Sequence, residues 1–499
     1  MMKAWAADLT AVLDPRLTNW LLGAGIVAGA VVIGAGAGAV PFLTMGVVVG
    51  ALLAVFALTK PLALVTLMLV IGPVDLSFLT GGFKSMFGQL GGLDMNGIRL
   101  IGLTAALGLV TIADPRVGRL VFRPTAIFYA ALLAYGAFTL TFSPVPLHGL
   151  RLLLKLGYPF LVFIVIAGLS PTRHQLDRLM DAVLIGAAVL CMIVNPLYVI
   201  YGDFERVIGG WVRLQGLGVH QNPFAFYLTI PLLIGIVRFT TRRQVRYLLL
   251  AALCSAWMVL TITRIAFLGV VVALLATGVL SAVAARHTRF LLAAVAVGVL
   301  LAVPYAPPVL ERTLGFVPSP GELVTLLRNP QALVQVMNWE GRQAVWAVVF
   351  QAFQTSPVGG LGLGASSFVL TVNFPWFALG PPHNDYLRLL TDTGVVGAAL
   401  FSLAMLAWTA VATGAARLAD RTTREYALSA VGSIAAFATV GLTDNPFDYY
   451  GQITQYVGFL CGGAVAAAAC YRRAAGEAVT SAPLEAAPIA RQVSARDRR

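Results

Sequence analysis

An apolar run reaches from about Tyr247 to Ser281 with one charge inside it, Arg264. As a helix rising about 1.5 Å per residue the run is roughly 50 Å long, whereas a bilayer's hydrocarbon core is about 30 Å thick. One crossing cannot contain it, so the run predicts two helices that meet at Thr261-Ile262-Thr263-Arg264. A guanidinium at that depth has no water to hydrate it, and ionisable groups so placed usually carry function.

Similar runs recur along the chain. Of its 499 residues 59% are hydrophobic and 11% charged, the composition of a polytopic membrane protein. Apolar patterning predicts about fourteen helices, over 17–39, 42–59, 61–79, 97–113, 125–142, 150–169, 179–201, 222–238, 246–262, 265–285, 289–306, 384–413, 425–443 and 452–471. Backbone amides in lipid must be bonded within their own segment, and the strand alternation of a barrel is absent, so the predicted fold class is all-α. The first eleven of these helices fall in 1–306, a long loop spans 307–382, and the last three fall in 383–473. The tail over 474–499 has no periodic apolar face and is expected to be a disordered cytoplasmic segment.

Basic residues of alternate short connections collect on one side: Lys60; Arg116, Arg119 and Arg123; Arg173 and Arg178; Arg238, Arg242, Arg243 and Arg246; Arg286 and Arg289; Arg417, Arg421 and Arg424; Arg472 and Arg473. That side is expected to be cytoplasmic, with both termini on it. Topology and membrane lipid account for much of the net charge of +13, and no nucleic-acid partner is implied. Cys191, Cys254, Cys461 and Cys470 lie in apolar helices without ligand spacing, so neither disulfides nor a metal site is expected.

On the opposite side lies the loop over 307–382, far longer than an ordinary connection between helices. Short helices are expected near Glu322 to Leu327 and from about Trp339 to Thr355, the second an interfacial amphipathic helix with Val345, Val349 and Phe353 at helical spacing beside Trp346. Gly359-Gly360-Leu361-Gly362-Leu363-Gly364 follows no strand, which favours a hinge or close-packing loop over a phosphate-binding fingerprint. The loop ends in Pro381-Pro382-His383-Asn384-Asp385-Tyr386-Leu387, just before an apolar helix that Asn384 or Asp385 can cap. There the helix dipole disfavours an imidazolium and attracts an anion, so His383 is a candidate base beside a candidate phosphate site; its bland role would be a polar cap. Arg264, Arg342 and Arg213 share this face, where positive charge is scarce, and their forked guanidiniums suit phosphate oxygens. Headgroup contact or a local ion pair is the alternative for Arg213 and Arg342.

At His383-Asn384-Asp385-Tyr386-Leu387-Arg388-Leu389-Leu390-Thr391-Asp392-Thr393-Gly394 the chain resembles the O-antigen ligase and polymerase superfamily, whose members carry histidine-asparagine-x-tyrosine-leucine followed by an acidic residue, any residue and glycine. Asn222 in Gln221-Asn222-Pro223, Thr263-Arg264, Gly341-Arg342 with Trp346, and Thr443-Asp444-Asn445-Pro446 extend the resemblance over about 205 to 450.

The resemblance implies a GT-C-type glycosyltransferase of the bacterial inner membrane. It would move a glycan from undecaprenyl pyrophosphate to an acceptor sugar hydroxyl on the periplasmic face, with inversion and with neither metal nor other cofactor. The acceptor would be lipid A core or a growing polysaccharide. By position His383 would be the catalytic histidine and Arg264 and Arg342 the pyrophosphate-binding residues; Arg213, Asn222, Asn384, Asp385, Tyr386, Arg388 and Asp392 would support them. Ligase and polymerase both remain open, the single long outer loop leaning toward ligase. A solute or lipid transporter is the rival from another class, and it should show an internal repeat that this sequence lacks.

Overall fold

The computed structural model describes residues 41–74, 95–196, 200, 204–206, 212–214, 221–285, 311, 314, 318–329, 331–332, 341–377, 379–418 and 420–476. The chain divides into two units, Met1–Pro61 and Leu62–Arg499. The first contains α1 (Pro41–Thr59), apolar throughout. The second holds α2 (Pro61–Ile71) from Leu62 onward, then α3 (Met95–Ala113), α4 (Pro115–Gly118), α5 (Ile127–Thr139), α6 (Pro146–Leu169) and α7 (Arg173–Val189). After β1 (Phe204–Arg206) and β2 (Val212–Leu214) come α8 (Gln221–Arg242), α9 (Val245–Thr261), α10 (Arg264–Ala285), α11 (Pro320–Arg328), α12 (Arg342–Thr355), α13 (Ala365–Asn373), α14 (Asp385–Ala416), α15 (Arg421–Val440) and α16 (Gln455–Ala474).

The regular elements among the described residues are helices apart from β1 and β2, an antiparallel pair with Glu205 opposite Arg213. Among them five segments are long and apolar enough to cross a membrane: Pro146–Leu169, Gln221–Arg242, Arg264–Val283, Asp385–Ala416 and Tyr450–Ala474. Arg99–Ala113 and Pro115–Phe122 add a sixth if counted as one span bent by 95°. The bend has a local cause. Asp114 accepts the amide of Arg116, and Pro115, which has no N–H to give α3, begins α4. The predicted helices over 17–39 and 289–306 and most of the tail lie outside the described residues. The helix expected over 61–79 stops at Ile71, and that expected over 179–201 starts at Arg173 and widens into a π turn at Leu190–Val194.

The break predicted inside the long apolar run is present. α9 ends at Thr261, Ile262 takes a left-handed φ of 48°, and Arg264 opens α10. For a β-branched residue that conformation is unusual and needs its surroundings to hold it.

α15 sits deep in the bundle, packed by α8, α10, α14 and α16 and buried over most of its length. α16 lies against α6 at very short range. A Cβ on Gly458 would fall 2.1 Å from the Pro159 carbonyl oxygen and one on Gly462 2.6 Å from that of Phe163, so both positions must lack side chains. This small-residue spacing is a common means of close helix approach in lipid.

At the Arg242 end of α8 lies an ion cluster. Arg238, fully buried, pairs with Asp177 at 3.4 Å, with Glu425 at 3.3 Å and with Asp181. Arg242 reaches Asp177 and Glu425, each at 2.6 Å, and the ring of Tyr247 lies 5.6 Å from the Arg238 guanidinium. Arg238 and Arg242, which the sequence presents as connection cations, thus knit α7, α8 and α15 together.

Candidate active site

α14 starts where it does because Asn384 caps it, its Oδ1 accepting the amide of Leu387 at 2.9 Å. Asp385 donates its own amide to the Gly441 carbonyl at 3.0 Å, and the Tyr386 hydroxyl donates to the Ala438 carbonyl at 2.8 Å. The start of α14 is therefore fastened to the end of α15, and the segment leaving α15 runs past His383. There the His383 amide donates to Asn445 Oδ1 at 2.7 Å, and its Nδ1 lies 3.5 Å from Asp444 Oδ1. His383 itself has a left-handed φ of 55°. Residues held in that region cluster at working sites.

Asp444 is enclosed, its side chain 1% exposed against 36% for His383. Its oxygens also accept from Asn222 Nδ2 at 2.7 Å, from the Asn445 amide at 2.8 Å and from the Tyr449 hydroxyl at 3.2 Å. Burial pushes the carboxyl up, but the His383 hydrogen bond and charge, the Asn445 amide and Asn222 outweigh it and hold Asp444 below the ordinary carboxylate range. Burial, then Asp444, push the Tyr449 hydroxyl well above its usual range, so it stays protonated as a donor. A carboxylate facing Nδ1 favours the tautomer with the proton there and leaves Nε2 as a basic lone pair.

The two arginines enter through their neighbours. Thr263 Oγ1 donates to Asn222 Oδ1 at 3.4 Å, which ties the α9–α10 break, and hence the half-buried Arg264 beside it, to the Asp444 group. Arg342, also half-buried, opens α12 after Gly341 at φ 77°. Trp346 follows one turn later on the same face and donates its Nε1–H to the Pro382 carbonyl at 2.9 Å, next to His383. The apolar face predicted for this helix is taken by protein: Val345 and Val349 pack with Leu370, and Trp346, Phe374 and Leu387 close around them. For Arg213 the structure gives a place in β2, opposite Glu205.

A second group adjoins the first. Arg388 bonds Asp448 at 2.9 Å and Asp385 at 3.3 Å, and Lys155 bonds Asp448 at 2.6 Å. Burial raises the Asp448 carboxyl, yet Arg388 and then Lys155 drive it far below its ordinary range. Asp385 also takes the Asn445 side-chain amide at 2.8 Å and the Phe447 amide at 2.9 Å. Arg388 and Asp385 are thus committed to one another and to the 445–448 segment. Asp392 has a different duty, its two oxygens accepting the amides of Gly364 at 3.0 Å and Ser366 at 2.7 Å to cap α13.

The glycine run is a packing joint. α14 breaks at Gly394 (φ 65°, ψ −169°), and the break receives 357–362: Leu361 donates to the Thr391 carbonyl, Gly362 to that of Asp392, and Val395 to that of Pro357. A Cβ on Gly360 would lie 2.5 Å from the Asp392 carbonyl oxygen and one on Gly394 2.1 Å from that of Val358. With the amides of Gly360, Leu361, Gly362 and Gly364 bonded to protein oxygens, the run is not a phosphate cradle.

The sequence did not reveal Asp444 and Asn445 as the partners of His383, since the contacts bridge 61 and 62 residues. Lys155 carried a readable signal, a charge within the apolar run of α6. Among the described residues no group of three or more histidine, cysteine, aspartate or glutamate side chains could hold a metal ion.

Residues 248–402 match the family model for O-antigen ligase. That segment includes Arg264, Arg342 and His383 and stops short of Asp444. Comparison with curated proteins gives no match. The O-antigen ligase domain over 248–402, in a chain with several apolar helices of spanning length, supports placing this protein in the O-antigen ligase and polymerase superfamily of polysaccharide biosynthesis.

Proposed function

We propose that the protein transfers a glycan from undecaprenyl pyrophosphate to a sugar hydroxyl of an acceptor, lipid A core or a growing polysaccharide, at the periplasmic face of a bacterial inner membrane. The observation that carries this reading is the His383–Asp444 pair at 3.5 Å, a third-exposed imidazole backed by a buried carboxylate. Nε2 of His383 takes the proton of the acceptor hydroxyl as its oxygen attacks the anomeric carbon. The bond from that carbon to the diphosphate oxygen breaks on the opposite side, which inverts the centre. Asp444 steadies the imidazolium that forms, and Arg264 and Arg342 hold the departing undecaprenyl diphosphate. General-base help contributes about a hundredfold or more, and charge stabilisation of the leaving group a comparable factor. Arginines in this role make a divalent ion unnecessary.

Reconstitution with a lipid-linked glycan and several acceptors, in excess chelator, tests the reading. Mass gain on a core acceptor identifies a ligase, and mass gain on a second glycan a polymerase. A rate that collapses in chelator and returns with magnesium would overturn the arginine mechanism.

A further inference from the structure

We propose that Asp385 and Asn445 position His383, and that the direction of the hydrogen bonds between them sets the efficiency of transfer. The proposal rests on His383 being the base. Its left-handed backbone is strained for a residue with a side chain, so something must hold it. The Asn445 side chain does so by accepting the His383 amide at 2.7 Å.

A side-chain amide has an oxygen and a nitrogen of nearly the same shape, and only the oxygen can serve that N–H. The choice is made by Asp385. Its ionised carboxylate only accepts, and Oδ1 takes the Asn445 Nδ2–H at 2.8 Å, which turns the Asn445 oxygen toward His383. Asp385 is fixed in turn by the Phe447 amide at 2.9 Å and by Arg388 at 3.3 Å. Asp385 is 2% exposed and Asn445 0%, so no water competes for these bonds. The third place of the histidine-asparagine-x-tyrosine-leucine element takes any residue, so the resemblance ranks Asp385 only among the supporting residues and assigns it no bond. Arg388 keeps Asp448 at 2.9 Å, and a change at 385 does not strand its charge.

The test uses full-length protein in proteoliposomes with an undecaprenyl-diphosphate-linked oligosaccharide and a sugar acceptor. Asp385→Asn keeps the shape but can donate as well as accept, so Asn445 is free to turn either way. It should lower kcat by about tenfold to a hundredfold while KM for the donor moves less than about twofold. The paired exchange Asp385→Asn/Asn445→Asp puts a donor at 385 and an acceptor at 445, restoring the order of bonds toward the His383 amide, and should recover most of the lost kcat. A paired variant no better than Asp385→Asn overturns the proposal, and it does so even if the single variant folds poorly, because the pair keeps the same atoms in the same space. Wild-type kcat in Asp385→Asn, with His383→Ala inactive, also overturns it and leaves the base reading standing. Wild-type transfer by His383→Ala removes that reading and the proposal with it.

Discussion

The two ends of α8 carry polar groups of similar chemistry put to different use. Asn222 and Arg238 are separated by about 24 Å of helix. At the Arg238 end, two guanidiniums meet the carboxylates of Asp177, Asp181 and Glu425, and Arg238 and Glu425 are wholly buried. At the Asn222 end the buried carboxylate, Asp444, has three partners besides the imidazole it faces, yet that imidazole remains a third exposed. Buried guanidiniums already paired with carboxylates, two of which, Asp177 and Asp181, stay partly exposed, serve to hold helices together. A buried carboxylate behind an accessible ring orients that ring and leaves its far nitrogen open to a substrate, and this difference, more than residue type, marks the end at which chemistry is expected.

The largest expected effect concerns topology and is all or none. With the four native cysteines replaced, a cysteine at the exposed Ser319 should react fully with an impermeant thiol reagent applied outside, and one at the exposed Arg421, at the ion-cluster end of α15, should not. The reverse pattern would put His383 in the wrong compartment and favour transport. Thr422 beside it is buried and would be a poor probe.

His383→Ala should lower transfer by about a hundredfold or more with insertion and expression near normal, since the ring moves a proton and stands outside the packed core. Retention of a third of wild-type transfer in purified protein would leave the two ends chemically alike.

For Arg264→Lys the expectation is a loss of about tenfold or more in kcat/KM with a raised donor requirement, because an ammonium keeps the charge and loses the fork. Normal transfer would reduce Arg264 to a packing role.

The smallest effect on transfer should come from the ion-cluster end. Arg238→Ala leaves buried Glu425 with Arg242 and the Thr241 hydroxyl and should cost about 3–5 kcal/mol of stability, with transfer per folded molecule little changed. A large fall in transfer at full stability would show that this cluster does more than brace the bundle.

Much of this arrangement could be read from the sequence where the signal was local. The α9–α10 break follows from one charge in an apolar run, and the Asn384 cap from a side chain that can take the first amides of an apolar helix. Reading failed where the partner was remote. Glu425 lies 183 residues from Arg242, so its pairing was invisible and the arginines looked like topology alone. Asp392 could be seen as part of a motif, but not as the cap of a helix that precedes it. Hydropathy also overran the end of α2, where Arg99 binds the Val74 carbonyl and Tyr456 the Leu69 carbonyl, bonds supplied by distant helices.

The cap of α13 constrains how the chain is built. Its first amides find their acceptor in Asp392, 28 and 26 residues further along. Synthesis runs from the N-terminus, so α12 and α13 leave the ribosome before the residue that completes them. Until the Gly394 break arrives to receive 357–362, the amides of Leu361 and Gly362 have only water to bond. The segment bearing Arg342 thus gains its final form only after α14, and with it His383, is in place, so the leaving-group side of the proposed site is assembled upon its base.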